Sequence, residues 1–262
     1  MILAVAPAAA ASNAFASGDF AAAREIGRSA GTADGAALAC KSGLILAAYF
    51  ETQASRVKSL HDAIEDCADA IKAGAAAADV HVDYAVGLAF ESKRTSNLRY
   101  AAGAKRLLAE AIARFPDSAL AHGALGGWHA TVARRGRLAR IVLGANRESA
   151  RKEFLTALRL DPGDIAITSE YVRFLAGGNR KDRQQAVEIA ASALSIRPIG
   201  AFEVLLTDRI RKLSEELRES PSAVDAAIEE LGPFPGIAGD NAQPSVRAPF
   251  VDTFEAVSNE GE

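Results

Sequence analysis

The residues that could do chemistry in this chain are few and unevenly placed. Arg134, Arg135, Arg137, Arg140 and Arg147 form its one dense basic cluster, which Arg151 and Lys152 extend. Guanidinium groups at that density can hold a carboxylate, a phosphate-bearing headgroup or an acidic protein face. The competing reading is a solvated insertion helix whose arginines pair with Glu148, Glu153 or other neighbouring acids. The cluster is too short for a nucleic-acid interface. Trp128, just ahead of it, suits a partner hot spot, but its place in an apolar helix stripe fits packing between helices better. His122 and His129 share a helix face two turns apart, too far to chelate one metal without other ligands. His61 and His81 lack ligand spacing too. Neither Cys40 nor Cys67 sits in a catalytic or C-x-x-C pattern. They read as two small buried apolar side chains, with a bridge as the alternative if their helices face each other at bonding distance. There is no G-x-S-x-G, P-loop or dinucleotide-binding glycine pattern. Carboxylate pairs such as Glu65-Asp66 and Glu215-Glu216 read as solvated. The sequence therefore predicts no catalytic residue, no metal and no cofactor.

Composition describes the elements that must position these residues. Of 262 residues, 49% are hydrophobic, 24% charged and only 6% aromatic, with a net charge of −3. Alanine, the strongest helix former, makes up about a fifth of the chain, so an all-α fold is expected. Few strand-forming residues remain to build a large sandwich or barrel. The charge balance argues against nucleic-acid binding. No apolar run is long enough for a transmembrane segment.

The helices repeat. Ala104, Leu108, Ala111 and Pro116 are spaced like Ala150, Phe154, Ala157 and Pro162, and like Ala186, Ala190, Ala193 and Pro198. Weaker frames without the proline run Ala23, Gly27, Ala30, Gly35 and Ala63, Cys67, Ala70, Ala75. Small residues two turns apart let helices approach closely, and the proline ends the helix. Apolar stripes precede the frames at Leu38–Phe50, Val80–Phe90, Ser118–Ala133 and Ile165–Leu175. Asp164 stands where an N-cap is needed.

These frames resemble the second helix of the tetratricopeptide repeat, A-x3-F-x2-A-x4-P, and Gly18-Asp19-Phe20 resembles its inter-helix turn. The stretch from Ala121 to Pro162 is similar to the tetratricopeptide domain of the regulator of microtubule dynamics type. It carries Leu125-Gly126-x-Trp128, Val132-Ala133, an insertion over Arg134–Gly144 closing on Leu143-Gly144, then Ala150 to Pro162. Only Phe154 supplies the preferred aromatic; Leu108 and Ala190 depart from it. Eukaryotic members of that family are associated with microtubules, mitochondria and lipid. Microtubule binding is not carried over, because the alanine-rich chain reads as bacterial. The resemblance implies a right-handed α-α solenoid of about five helix pairs, with a concave groove lined by the first helix of each.

Four segments follow. Residues 1–16 read as a signal-peptide remnant, with Ala14-Phe15-Ala16 or an equivalent such as Ala6-Pro7-Ala8 as the small-x-small site, or as an ordinary first helix. The first alternative implies a periplasmic or secreted protein and the second a cytoplasmic one. Residues 17–219 form the solenoid, ending in a capping helix with Phe202, Leu206, Ile210 and Leu213 on its apolar face. Residues 220–232 form a short helix begun by Ser220-Pro221. Residues 233–262 form an extended or disordered tail that could lie along the solenoid through Phe234, Phe250 and Phe254. The expected function is a non-catalytic scaffold holding a protein or peptide in the groove, with Trp128, Arg134, Arg135, Arg137, Arg140 and Arg147 as candidate binding residues. The alternative is a carrier or sensor of a lipid or other apolar ligand held inside the solenoid. A closed apolar cavity near Trp128 and the arginines would favour the carrier; an open polar groove would favour the scaffold.

Overall fold

The computed structural model describes residues 5–218 and 221–240. All regular structure among them is helical: α1 (Val5–Ser17), α2 (Phe20–Ser29), α3 (Ala33–Tyr49), α4 (Gln53–Lys72), α5 (Ala78–Thr95), α6 (Leu98–Arg114), α7 (Ala119–Arg134), α8 (Arg137–Leu143), α9 (Arg147–Leu160), α10 (Ile165–Ala176), α11 (Arg180–Ala193), α12 (Ala201–Glu216) and α13 (Pro221–Glu230). Polar side chains start many of them. Asp19, Thr32, Asn97, Ser118, Asn146 and Asp164 each accept a backbone N–H of the first turn, and Asn179 with Asp182 completes a capping box. No helix among the described residues is long and apolar enough to cross a membrane.

Most helices pack chiefly on a neighbour in sequence; α7 instead skips the short α8 and pairs with α9, and α12 packs most on α10. The repeat frames explain this. They fall on α2, α4, α6, α9 and α11, and Ala23, Ala63, Ala104, Ala150 and Ala186 are each fully buried. Phe154 fills the seam between α9 and α7 because Gly126 leaves room: a Cβ there would lie 3.0 Å from the phenylalanine ring. Alternate helices also touch, α3 on α5, α5 on α7, α7 on α10 and α10 on α12, forming one inner layer. The ends meet as well. α1 touches α12, the Phe20 ring packs against Phe202 at 6.4 Å, and Tyr49 packs against Phe202 at 5.9 Å.

Three side-chain readings need correction. Cys40 and Cys67 are joined by a disulfide. The small faces of α3 and α4 bring their Cα atoms to 4.7 Å, within bridging reach. Asp66 is buried rather than solvated, because Arg24 and Arg28 of α2 both reach it, at 2.8 Å and 2.7 Å. Arg147 pairs with Asp182, and so does Arg151, rather than with Glu148 or Glu153; Glu153 is held by His122 at 2.6 Å.

Residues 231–240 lie across the body. Phe234 donates its N–H to the Ala48 carbonyl at 2.9 Å and stacks on Phe90 at 4.2 Å. Arg94 holds the Asp240 carbonyl at 2.8 Å. Met1–Ala4, the Ser220 cap, and the tail with Phe250 and Phe254 lie outside the described residues.

Candidate binding cavity

The inner layer of alternate helices lines a large, partly open cavity of about 1770 Å³. Its walls are built by a simple rule. On α5 the residues Val82, Val86 and Phe90 recur at helical spacing and face inward; on α7 Ala124, Gly127 and Trp128 do the same. Ile45 of α3, Ile167 of α10 and Phe202 of α12 complete an apolar middle. Small side chains on α7 leave the width, and large ones on its neighbours supply the contact surface.

Much of the charge lies toward two edges. The N-terminal ends of α5, α7 and α10 bring Asp79, Asp83, Asp117, Asp161 and Asp164 to one edge. Lys41 offsets part of that charge, 3.6 Å from Asp79. Burial pushes the Asp83 carboxyl up to about 6, helped by Asp79 and opposed by Lys41. The C-terminal ends of the same helices bring Lys93, Arg134, Arg135 and Arg173 to the other edge. There Lys93 is matched by Glu229 at 2.8 Å and Arg173 by Glu170 at 2.6 Å. Among the described residues Arg135 bonds the Ser92 hydroxyl, at 2.8 Å, and burial lowers its pKa from the ordinary value. Arg134, exposed beside it, makes no ion pair among the described residues. Two adjacent guanidinium groups thus meet the cavity without a carboxylate partner among the described residues.

The candidate residues named from sequence separate in space. Trp128, Arg134 and Arg135 line the cavity. Trp128 is also a packing residue, 4% exposed, with its indole N–H donated to the Ala101 carbonyl at 2.9 Å and Lys105 above its ring at 5.3 Å. Arg137 and Arg140 stand exposed on α8, outside the cavity. Arg147 stacks on Phe174 at 4.4 Å and pairs with Asp182 between α9, α10 and α11. Sequence reasoning missed Asp83, Phe90, Lys93, Arg173 and Phe202. Asp79, Val82, Asp83, Val86 and Phe90 share one stripe of α5, so an acid at the head of an apolar stripe was a usable signal. Nothing local marks Phe202 as a neighbour of Tyr49.

Chemically, the arrangement can sequester an apolar body and hold a charged end. Among the described residues no three His, Cys, Asp or Glu side chains stand together to hold a metal. Of the remaining histidines, His61 bonds Glu91 at 2.9 Å, while His81 packs on Phe115 and His129 meets the edge of Trp128, His81 Nε2 and His129 Nδ1 being buried without a hydrogen-bond partner among the described residues. Comparison with protein-family models and with curated proteins finds no match.

Proposed function

We propose that this chain is a tetratricopeptide-like solenoid of five helix pairs, capped by α12 and α13, that carries or senses an elongated apolar ligand bearing an anionic group. The observation that carries this reading is the cavity itself. Its middle is apolar, its volume exceeds that of ordinary small-molecule pockets, and Arg134 and Arg135 stand at one edge with no acid partner among the described residues. The ligand's chain lies along Val86, Phe90 and Trp128, and its carboxylate or phosphate meets the two guanidinium groups. The reading involves no covalent chemistry, and the protein is not an enzyme. The buried Cys40–Cys67 disulfide supports residence in an oxidising compartment.

A peptide partner in the same space is the second reading, and the carboxylate edge around Asp79 and Asp164 favours it. Native mass spectrometry of the purified protein separates the two: a retained lipid supports the carrier and a retained peptide supports the scaffold. Binding of a fluorescent long-chain fatty acid tests the anionic end. Replacing Arg134 and Arg135 by Ala should weaken it roughly tenfold to a hundredfold. Equal binding of the acid and its methyl ester would remove the arginines from the reading.

A further inference from the structure

The insertion helix α8 presents a surface that the cavity does not use. Leu138, Ile141 and Val142 are 73%, 69% and 61% exposed, three large apolar side chains within five residues. The opposite face of α8 is tied down. Ala139 and Leu143 are buried against α6 and α7, and Lys105 donates to the Leu143 carbonyl at 2.9 Å. The exposed face is therefore held outward by packing beneath it. Its ends are set by Gly136 at φ 107° and Gly144 at φ 65°, backbone that side chains rarely adopt.

Along this stretch of the sequence the charge has one sign. Arg137 and Arg140 are exposed and make no ion pair among the described residues. From Ser118 to Arg147 the sequence contains no Asp or Glu, in a chain whose net charge is −3. An apolar ridge flanked by unpaired guanidinium groups matches one surface chemistry: a bilayer with anionic headgroups. Apolar side chains can enter at the level of the acyl boundary while the arginines remain among the phosphates.

We infer that the outer face of α8, through Leu138, Ile141 and Val142 with Arg137 and Arg140, docks this protein on an anionic lipid surface. The buried side of the same helix adjoins the cavity, since Ala139 lines it. Docking thus brings the Arg134–Arg135 edge toward the membrane. The inference does not depend on what the cavity holds.

The test is co-sedimentation of the full chain with vesicles of phosphatidylcholine alone and of phosphatidylcholine with phosphatidylglycerol. Two variants accompany it, R137Q/R140Q and L138S/I141S/V142S; all five positions are exposed, and circular dichroism checks the fold. The wild type should partition to the anionic vesicles and be released by salt. The arginine variant should lose roughly 20-fold in partitioning, and the apolar variant about tenfold or more. Wild-type binding that is absent, that is equal on neutral vesicles, or that both variants retain would overturn the inference. So would a dimer in sedimentation equilibrium that the apolar variant abolishes, which would make the face a contact between copies. Hydrogen exchange showing protection of α8 that depends on residues 241–262 would likewise overturn it, because the chain would then cover its own face.

Discussion

Two carboxyl groups, both on α5, have opposite relations to folding. Glu91 is fully buried, and burial alone would push its carboxyl up. Hydrogen bonds from Arg94 at 2.6 and 2.8 Å and from His61 outweigh that and hold it at about 2, against an ordinary 4.5. Between those values the folded state binds fewer protons than the unfolded one, so its stabilisation is complete above pH 4.5 and fades as the pH falls toward 2. Glu91→Gln should cost about 3 kcal/mol at pH 7, because Arg94 would keep a buried charge without its partner. Urea unfolding across pH checks both the size and the window. Asp83 has the reverse sign. Its folded-state carboxyl keeps its proton up to about 6 while the unfolded one loses it near 3.8, so its contribution to stability falls as the pH rises through that interval. Asp83→Asn should raise stability at pH 7 by about 1–2 kcal/mol, after discounting for partial exposure. The same measurement should show the dependence between pH 4 and 6 flattened. Neither group was legible in the sequence. Glu91 is an ordinary helix acid until His61 of α4 is brought to it, and Asp83 an ordinary one until its neighbours remove water. The basic cluster was legible as a cluster, but only packing divides it into Arg134 and Arg135 at the cavity, Arg137 and Arg140 on α8, and Arg147 in an ion pair.

Among the elements, the repeat frames were the most readable feature, because their chemistry is local. A small residue at Ala150 and Ala157 and a large one at Phe154 are needed wherever two helices meet closely, and the proline marks where the helix stops. The extra residues after Trp128 were legible by count, and α8 is what they form. The disulfide was not legible, since spacing along the chain does not say whether α3 and α4 turn Cys40 and Cys67 toward each other. It closes a loop with a sequence separation of 27 residues. Replacing both cysteines by alanine should lower stability to urea by about 3 kcal/mol. Gly126→Val should be comparably harmful by another route. The added Cβ meets the Phe154 ring at 3.0 Å and the Ala150 carbonyl at 3.2 Å, so α7 and α9 must move apart. A lowered melting temperature, with helical content near that of the wild type at 25 °C, is the expected result.

The whole molecule is shaped by contacts between residues far apart in sequence. The inner layer could be foreseen from the stripes that precede each frame, but the two edges of opposite charge could not. They exist because alternate helices run the same way, so their N-terminal acids collect on one side and their C-terminal bases on the other. A ligand that fills this cavity binds the folded state alone. At one hundred times its dissociation constant it should add about 2.7 kcal/mol of stability. Thermal melts with and without a long-chain fatty acid measure this directly, and a melting point that does not move would argue against the carrier.

The meeting of α1 with α12 has a mechanical consequence. A row of stacked hairpins with free ends behaves like a spring, whose coils widen by small strains shared along its length. Here the ends are clasped by Phe20, Phe202 and Tyr49, with Ala201 so close to Gly18 that an added Cβ there would lie 2.8 Å from it. A hoop cannot widen in that way without parting at its clasp. Loosening of the whole ring should therefore begin at that joint, and Phe202→Ala should speed hydrogen exchange in α1 and α12 more than in α7.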